Sequence, residues 1–484
     1  MDRMNTLTIN DFRGGIVEQG RRGPRGSFKF AQGLDIRSGE NTLKCQQAMK
    51  KDSASTVTDL PLVIIKGSDG NKYAFGDTGK IYRKIGTGAW ALVHTDSDGK
   101  ITGAAEFTST SDTFIFYATQ TKFKKITLAN AGGTWASNVS DVFTFTNGNA
   151  DDFHTMWEAL GVLFCADGDL LTIYDYDDAY NPAGLRLSTG QRIKTLRDRG
   201  GNGQDRIIMG TTMATFAKGY LFQWDRLADS WFGKKDSQGN GINAMEWLEG
   251  GAIAQVGTNG NLKYWNLSEF SPFKRIPGTG SAYPGAICIH KEMPHIGMNG
   301  GTKNGVYSVG RFDKNDPISI NLEYVPSYDT INNPNAVIGS LLSDDEDLYI
   351  GWYDGTNYGI DITDQDNKAD GVYESMLLNM DKSQMDKLVE YIKAETISLP
   401  ENTSYAIKWR SSQTTGNEDA DGWNTCDTEN AGDTDIDTED STKGILKCGG
   451  QGETFEVRVE LTPDGNNTPE IRSINLYFDF LSGL

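Results

Sequence analysis

Tyr73-Ala74-Phe75-Gly76-Asp77-Thr78-Gly79-Lys80-Ile81-Tyr82 is a short apolar strand, a Gly/Asp/Thr turn and an alternating strand. Apolar, aromatic-rich runs separated by such turn residues read as β-hairpins. The pattern recurs at Phe114-Ile115-Phe116-Tyr117 with Lys122-Phe123, at Val162-Leu163-Phe164 with Leu170-Leu171, and at Ile207-Ile208-Met209 with Tyr220-Leu221-Phe222. It returns at Ala252-Ile253-Ala254 with Leu262-Lys263-Tyr264, at His295-Ile296-Gly297 with Val306-Tyr307, and at Leu348-Tyr349-Ile350 with Ile360-Asp361-Ile362. The second strands of these seven units recur at spacings of roughly 42 to 54 residues. A β-rich unit of about 40–50 residues has the period of a four-stranded propeller blade.

Working outward from the hairpins, innermost strands are expected at 62–65, 104–107, 156–160, 244–248, 287–290 and 337–341. Trp90, Trp135 and Trp231 follow Gly-Ala, Gly-Thr and Asp-Ser turns and are expected to pack over sheet edges. One four-stranded sheet has two faces to bury, and stacking sheets radially covers those faces and leaves short edges. After residue 382 the period stops. Ile392–Leu399, Tyr405–Trp409, Phe455–Leu461 and Ile474–Phe480 alternate in side-chain direction, as strands with one buried face do. The expected fold is all-β: an extended N-terminal arm (1–59), a β-propeller of about seven blades (60–382) and a C-terminal β-sandwich (383–484).

A net charge of −20 argues against nucleic acid as partner for the body of the chain. No run of about 18 apolar residues is present, so no membrane span is expected, and residues 1–12 lack the apolar core of a secretory signal. The five cysteines, Cys45, Cys165, Cys288, Cys426 and Cys448, show no C-x-x-C spacing. Cys426 and Cys448 alone share a segment outside the repeats, as two thiols or as one bridge.

The arm differs from the body in charge. Ten cations between Arg3 and Lys51 face six carboxylates between Asp2 and Asp52. Its few apolar residues cannot bury a core of their own, so the arm should lie extended across another surface. Two readings stay open: it closes the ring, or it docks on an acidic neighbouring subunit. In the second, Arg21, Arg22 and Arg25, grouped around Gly23-Pro24, pair with carboxylates, and Phe12, Ile16, Phe28 and Phe30 supply the apolar contact.

Motifs of chemistry are weak. The acidic loop 417–440 nearly matches the first half of a calcium loop at 417–422, but position twelve is Thr428, and Glu429 comes one residue late. Glu158 and Glu246 are the carboxylates best placed for glycoside chemistry, which needs an acid–base pair at defined separation, and channel-lining carboxylates are the simpler reading. The four histidines have no metal-ligand spacing. The loop 198–206 is a candidate contact loop. No cofactor, no metal and no enzymatic activity are expected.

Asn10-Asp11-Phe12-Arg13-Gly14-Gly15-Ile16, Phe30-Ala31-Gln32-Gly33-Leu34-Asp35-Ile36-Arg37-Ser38-Gly39, Gly371-Val372-Tyr373-Glu374-Ser375 and 468–480 resemble stretches of tailed-bacteriophage virion proteins. The resemblance covers about 80 residues at the two ends. It implies a structural protein of the tail nozzle, tail-tip or connector-attached type, with no catalytic residues. Such a chain assembles in host cytoplasm, resides in the virion tail, and contacts copies of itself in a ring, neighbouring tail or connector proteins, and the host surface as a further partner. The rival from another class is a carbohydrate-binding or carbohydrate-processing propeller.

Overall fold

The computed structural model describes residues 4–17, 24–37, 41–53, 56–146, 152–198, 206–213, 218–239, 241–278, 280–299, 304–311, 313–327, 337–380, 384–413, 418–428, 434–437 and 444–481. The chain divides into two compact units of interleaved segments. A terminal unit comprises Met1–Met49, Tyr307–Val325 and Thr363–Leu484, and a ring unit comprises Lys50–Val306 and Pro326–Ile362. Segments 307–325 and 363–382, placed by the sequence in the propeller, thus lie with the two chain ends.

The ring unit is a succession of antiparallel meanders. The first sheet contains, in spatial order, Pro61–Lys66, Lys72–Gly76, Lys80–Lys84 and Trp90–Thr95. The second contains Ile101–Thr108, Thr113–Thr119, Lys122–Thr127 and Ser140–Thr144, and the third Met156–Ala159, Val162–Asp167, Leu170–Asp175 and Tyr180–Arg186. The fourth contains Gln191–Asp198, Ile207–Met213, Tyr220–Trp224 and Gly233–Asp236, and the fifth Ile242–Leu248, Gly251–Val256, Asn261–Trp265 and Phe270–Arg275. The hairpin Ile287–His290 with Met293–Met298 follows. Val337–Asp344 pairs with Asp347–Tyr353, which pairs with the start of Tyr358–Lys368.

Second strands such as Val162–Asp167 and Gly251–Val256 are buried at every position. Each is covered on both faces, which is why they read as continuous apolar runs rather than alternating ones. Neighbouring sheets share cores. Tyr73, Phe75 and Ile81 pack with Ile115 and Tyr117; Phe116 and Phe123 with Leu163 and Tyr174; Phe164 and Leu171 with Met209 and Phe222. Ile208 and Leu221 pack with Met245 and Ala254.

The first strands touch in chain order, from Pro61–Lys66 through Ile101–Thr108, Met156–Ala159, Gln191–Asp198, Ile242–Leu248 and Ile287–His290 to Val337–Asp344, which returns to Pro61–Lys66. The arrangement is propeller-like. Glycine permits the closest approaches: a Cβ on Gly103 would lie 1.8 Å from the His154 carbonyl oxygen, and one on Gly339 2.2 Å from that of Pro61.

The seam between last and first sheets has its own latch. Asp52 and Ser53 donate backbone N–H bonds to the Ile360 carbonyl at 2.9 and 3.0 Å, and the Ser53 hydroxyl accepts from the Ile360 amide. The Asp52 carboxylate then accepts from Lys84 and, at 2.7 Å, from Trp90 Nε1 of the first sheet. Lys72 pairs with Asp344 at 2.7 Å, and Tyr82 and Trp90 share a core with Tyr349 and Ile360.

In the terminal unit, Asn5–Ile9 pairs with Glu470–Phe480, which pairs with Lys387–Ser398, which pairs with Ile445–Gly452. A second sheet runs from Ser319–Tyr324 through Ser27–Gln32, Gly371–Ser375 and Phe455–Thr462 to Ser404–Ser411. Short strands Gly15–Ile16, Asn424–Thr425 and Asp435–Ile436 border it. The sheets press face to face: a Cβ on Gly450 would meet the Trp409 ring at 2.6 Å.

Trp90 and Trp135 are buried, and Trp231 packs edge-on to Phe222 at 4.9 Å. The strand expected from Ile392 starts at Lys387. The first strand of the fourth sheet, Gln191–Asp198, was not anticipated, because Arg192, Lys194, Arg197 and Asp198 mask its alternation. Among the described residues the helical content is the single turn Leu128–Ala131, and no helix is long and apolar enough to cross a membrane.

Candidate binding face of the ring unit

In an antiparallel meander, the start of the first strand and the hairpin joining second to third strands lie at one end of the sheet. Asp77, Lys100, Asp152, Phe153, Arg192, Lys194, Asn243, Tyr283, Tyr353 and Tyr358 all occupy such positions, so they gather on one face.

Aromatic rings form its floor. Phe153 and Tyr283 lie 5.6 Å apart, and the Lys100 ammonium stands 4.8 Å from the Phe153 ring. Tyr353 and Tyr358 stack at 4.4 Å. These rings pack around Leu60 and Leu62. Charged side chains bridge the sheets beside them. Arg192 donates to Asp152 at 2.6 Å, and Lys194 donates to the Asn243 side chain at 3.3 Å. Burial lowers the Lys194 pKa; Lys100 and Arg192 add to this, and Asp152 opposes it.

Asp59 and Asp77 lie side by side at this face. Asp59 Oδ2 accepts from the Thr78 amide and hydroxyl at 2.9 and 2.8 Å. Its Oδ1 is buried and, among the described residues, receives no bond from an N–H or hydroxyl. The Asp77 carboxyl hydrogen-bonds to the Asp59 side chain. Burial, the hydrogen bond to Asp59 and the charge of Asp59 together push the Asp77 pKa up to about 7, with Lys100 opposing. Burial and the adjacent Asp59 carboxylate favour the neutral form of Asp77. Carboxyls in direct contact leave no room for the water or sugar carbon that sits between the two acids of a glycosidase. The face can stack flat apolar groups and exchange hydrogen bonds.

The opposite end of the first strands is self-paired. Arg197 donates to Glu246 through Nε and Nη2, each at 2.9 Å, and lies 4.4 Å over the Trp157 ring. Glu246 is buried in this pair rather than lining a wet channel, whereas Glu158 is exposed. The Glu158 pKa is raised by burial and by Glu106.

Of the arm residues singled out by sequence, Phe12, Ile16, Phe28 and Phe30 are buried inside the terminal unit, with Phe12 and Phe28 at 5.4 and 5.7 Å from Tyr373. Arg25 is 83% exposed and pairs with Asp11 at 3.5 Å. Arg21 and Arg22 lie outside the described residues, as do 199–205 and, in the acidic loop, 417, 429–433 and 438–440. Within that loop, Asp419 accepts from the Asp421 and Trp423 amides and pairs with Lys408, so it staples its own turn. Among the described residues no group of three His, Cys, Asp or Glu side chains could hold a metal ion. Cys426 and Cys448 are thiols flanking the Asp427–Lys447 bridge.

Sequence reasoning passed over Arg37. It is buried, donates to the Ser308 and Ser319 carbonyls at 3.2 and 2.9 Å, and faces Glu323 at 3.6 Å. It also missed the contact of Asp59 with Asp77, whose signal was one aspartate before the first strand and one in the first hairpin's turn.

No protein-family profile matches the sequence, and no curated protein does. Among solved structures, the extracellular domain of the hybrid two-component system BT4673 from B. thetaiotaomicron is similar over 72% of this chain, at 13% identity and a TM-score of 0.47. The chain spans 43% of that protein's length. The WD40 β-propeller domain of Doa1 is similar over 66% of this chain and 97% of its own, at 10% identity and a TM-score of 0.45. The C-terminal WD40 domain of Sif2 is similar over 75% and 99%, at 12% identity and 0.44. Likenesses at this level carry no functional information.

Proposed function

We propose that this chain is a structural, non-enzymatic protein of a tailed-phage virion that assembles in several copies at the tail, as a nozzle, tail-tip or connector-attached component. We read its architecture as a seven-bladed propeller with a β-sandwich. The seven first strands touching in a cycle, and the two sheets pressed together at Gly450 and Trp409, support that reading. One observation carries the functional proposal. The separate stretches that resemble virion proteins meet in one unit: Phe12 packs on Tyr373, and Phe30 and Ala31 pair with Glu374 and Tyr373. Their convergence is what a single assembly module at the chain ends requires, and it supports the reading. Electron microscopy of the purified chain, alone and with the other virion proteins of its source particle, tests this. Rings or incorporation into tails are expected, and persistent monomers that bind no virion protein would overturn it.

The aromatic floor around Phe153, Tyr283, Tyr353 and Tyr358 favours a second reading, carbohydrate binding, since sugars stack their apolar faces on such rings. Bacterial surface glycans tested against the wild type and Tyr358→Ala decide it. Binding lost in the variant supports it, and absence of binding removes it.

A further inference from the structure

We propose that a cleft at the outer edge of the fifth sheet binds a small organic anion, a phosphate monoester or carboxylate with a flat apolar body. The cleft encloses about 360 Å³ between the turn 237–239 and strands Asn261–Trp265 and Phe270–Arg275. That is near the lower bound of small-molecule sites, about 300–1,000 Å³.

Three cations line it: Lys263, Lys274 and Arg275. On a chain of net charge −20, segments 233–239 and 261–275 carry five cations, Lys234, Lys235, Lys263, Lys274 and Arg275, against Asp236 and Glu269. Such a local reversal of sign draws anions.

Lys263 is the decisive residue. It is 6% exposed, and its ammonium donates to the side-chain oxygen of Gln238 at 3.2 Å. Burial pulls its pKa down, and the charge of Asp236 pulls the other way. A desolvated ammonium against a neutral amide gains from an anion, because charge-assisted hydrogen bonds exceed neutral ones. Arg275 is held in place, with Nε donating to the Asn259 carbonyl at 2.8 Å. Phe273 lines the cleft beside these charges and offers an apolar face. The enclosed volume suits a small molecule, and the overall negative charge disfavours a nucleic-acid polyanion.

Isothermal titration of the full chain at low salt with phenyl phosphate, inorganic phosphate and neutral benzyl alcohol tests the proposal. Phenyl phosphate should bind one site per chain, more tightly than inorganic phosphate, and benzyl alcohol should give no heat. Lys263→Met should weaken phenyl phosphate by roughly tenfold, as loss of one charge-assisted bond implies. If that variant fails to fold, Lys274→Gln with Arg275→Gln, both on an edge strand, should give a folded protein with a similar loss. Absence of binding by both anions, or unchanged affinity in a folded variant, overturns the proposal. Binding of an aspartate-rich peptide with no response to either anion also overturns it and points to a protein partner.

Discussion

The ring unit and the terminal unit are both all-β, yet they are assembled on opposite plans. In the five four-stranded meanders between Pro61 and Arg275 each strand pairs with its neighbour in sequence, so Val162 meets Asp175 and Ala159 meets Val162. In the terminal unit the partners come from the chain's two ends: Leu7 faces Leu476, and Leu43 bridges to Ile471. Hairpin contacts close short loops at small entropic cost, while end-to-end contacts are reached only after most of the chain is ordered. A periodic plan tolerates local damage except at its seam. A plan built from chain ends fails when either end is lost.

Deleting residues 1–30 should break that comparison most visibly. It removes Asn5–Ile9, Gly15–Ile16 and most of Ser27–Gln32, along with the buried Phe12, Ile16, Phe28 and Phe30. Hydrogen exchange should show protection lost in Lys387–Ser398 and Glu470–Phe480 but kept in Val162–Asp167. Protection retained in both sets would mean that the N-terminal strands are dispensable.

The seam is the ring unit's own weak point. Asp52→Ala leaves Lys84, a buried lysine, without its carboxylate and removes the Trp90 bond. Breaking one partner of a buried pair costs about 3–5 kcal/mol, which denaturant unfolding would read directly. A change below about 1 kcal/mol would show that the latch is incidental to closure. Gly339→Val forces a side chain against the Pro61 carbonyl and should cost about 3 kcal/mol as an overpacked contact. At Gly161 an added Cβ has nothing within 4 Å, so alanine there costs chiefly the strain of a positive φ of 71°.

A pH series sharpens the contrast within the ring unit. Because the folded pKa of Asp77 is raised to about 7, the folded state holds more protons than the unfolded state between pH 4 and 7. Stability from this group is complete below about pH 4 and falls as pH rises through 7. Asp77→Asn should therefore raise the melting temperature at pH 8 relative to wild type and leave it little changed at pH 4. An equal effect at both pH values would exclude the raised Asp77 pKa. Smallest of all, Arg25→Glu should alter stability by less than about 1 kcal/mol, since an exposed ion pair contributes little. A larger loss on thermal melting would give Arg25 a role in the terminal unit's core.

The hairpins were legible because both signals, apolar second strands and Gly/Asp turns, are local. Gln191–Asp198 was not, since its charged residues serve neighbours: Arg192 reaches Asp152, and Arg197 reaches Glu246. The same holds for the binding face. Asp59 and Asp77 look like ordinary turn residues until the fold withdraws water from them. The arm's phenylalanines were visible as apolar, but their partner, Tyr373, lies more than three hundred residues away.

From sequence alone the chain's strand content, the repeating hairpin and its period follow, because alternation and turn chemistry act over ten or so residues. Only the tertiary structure decided what joins what: that Asp52 and Ser53 bind the last sheet to the first, that residues 5–9 pair with 470–480, and that Lys263 is buried at the wall of a basic cleft. Those outcomes depend on burial and on contacts between residues distant in the chain, and neither is encoded in a local pattern.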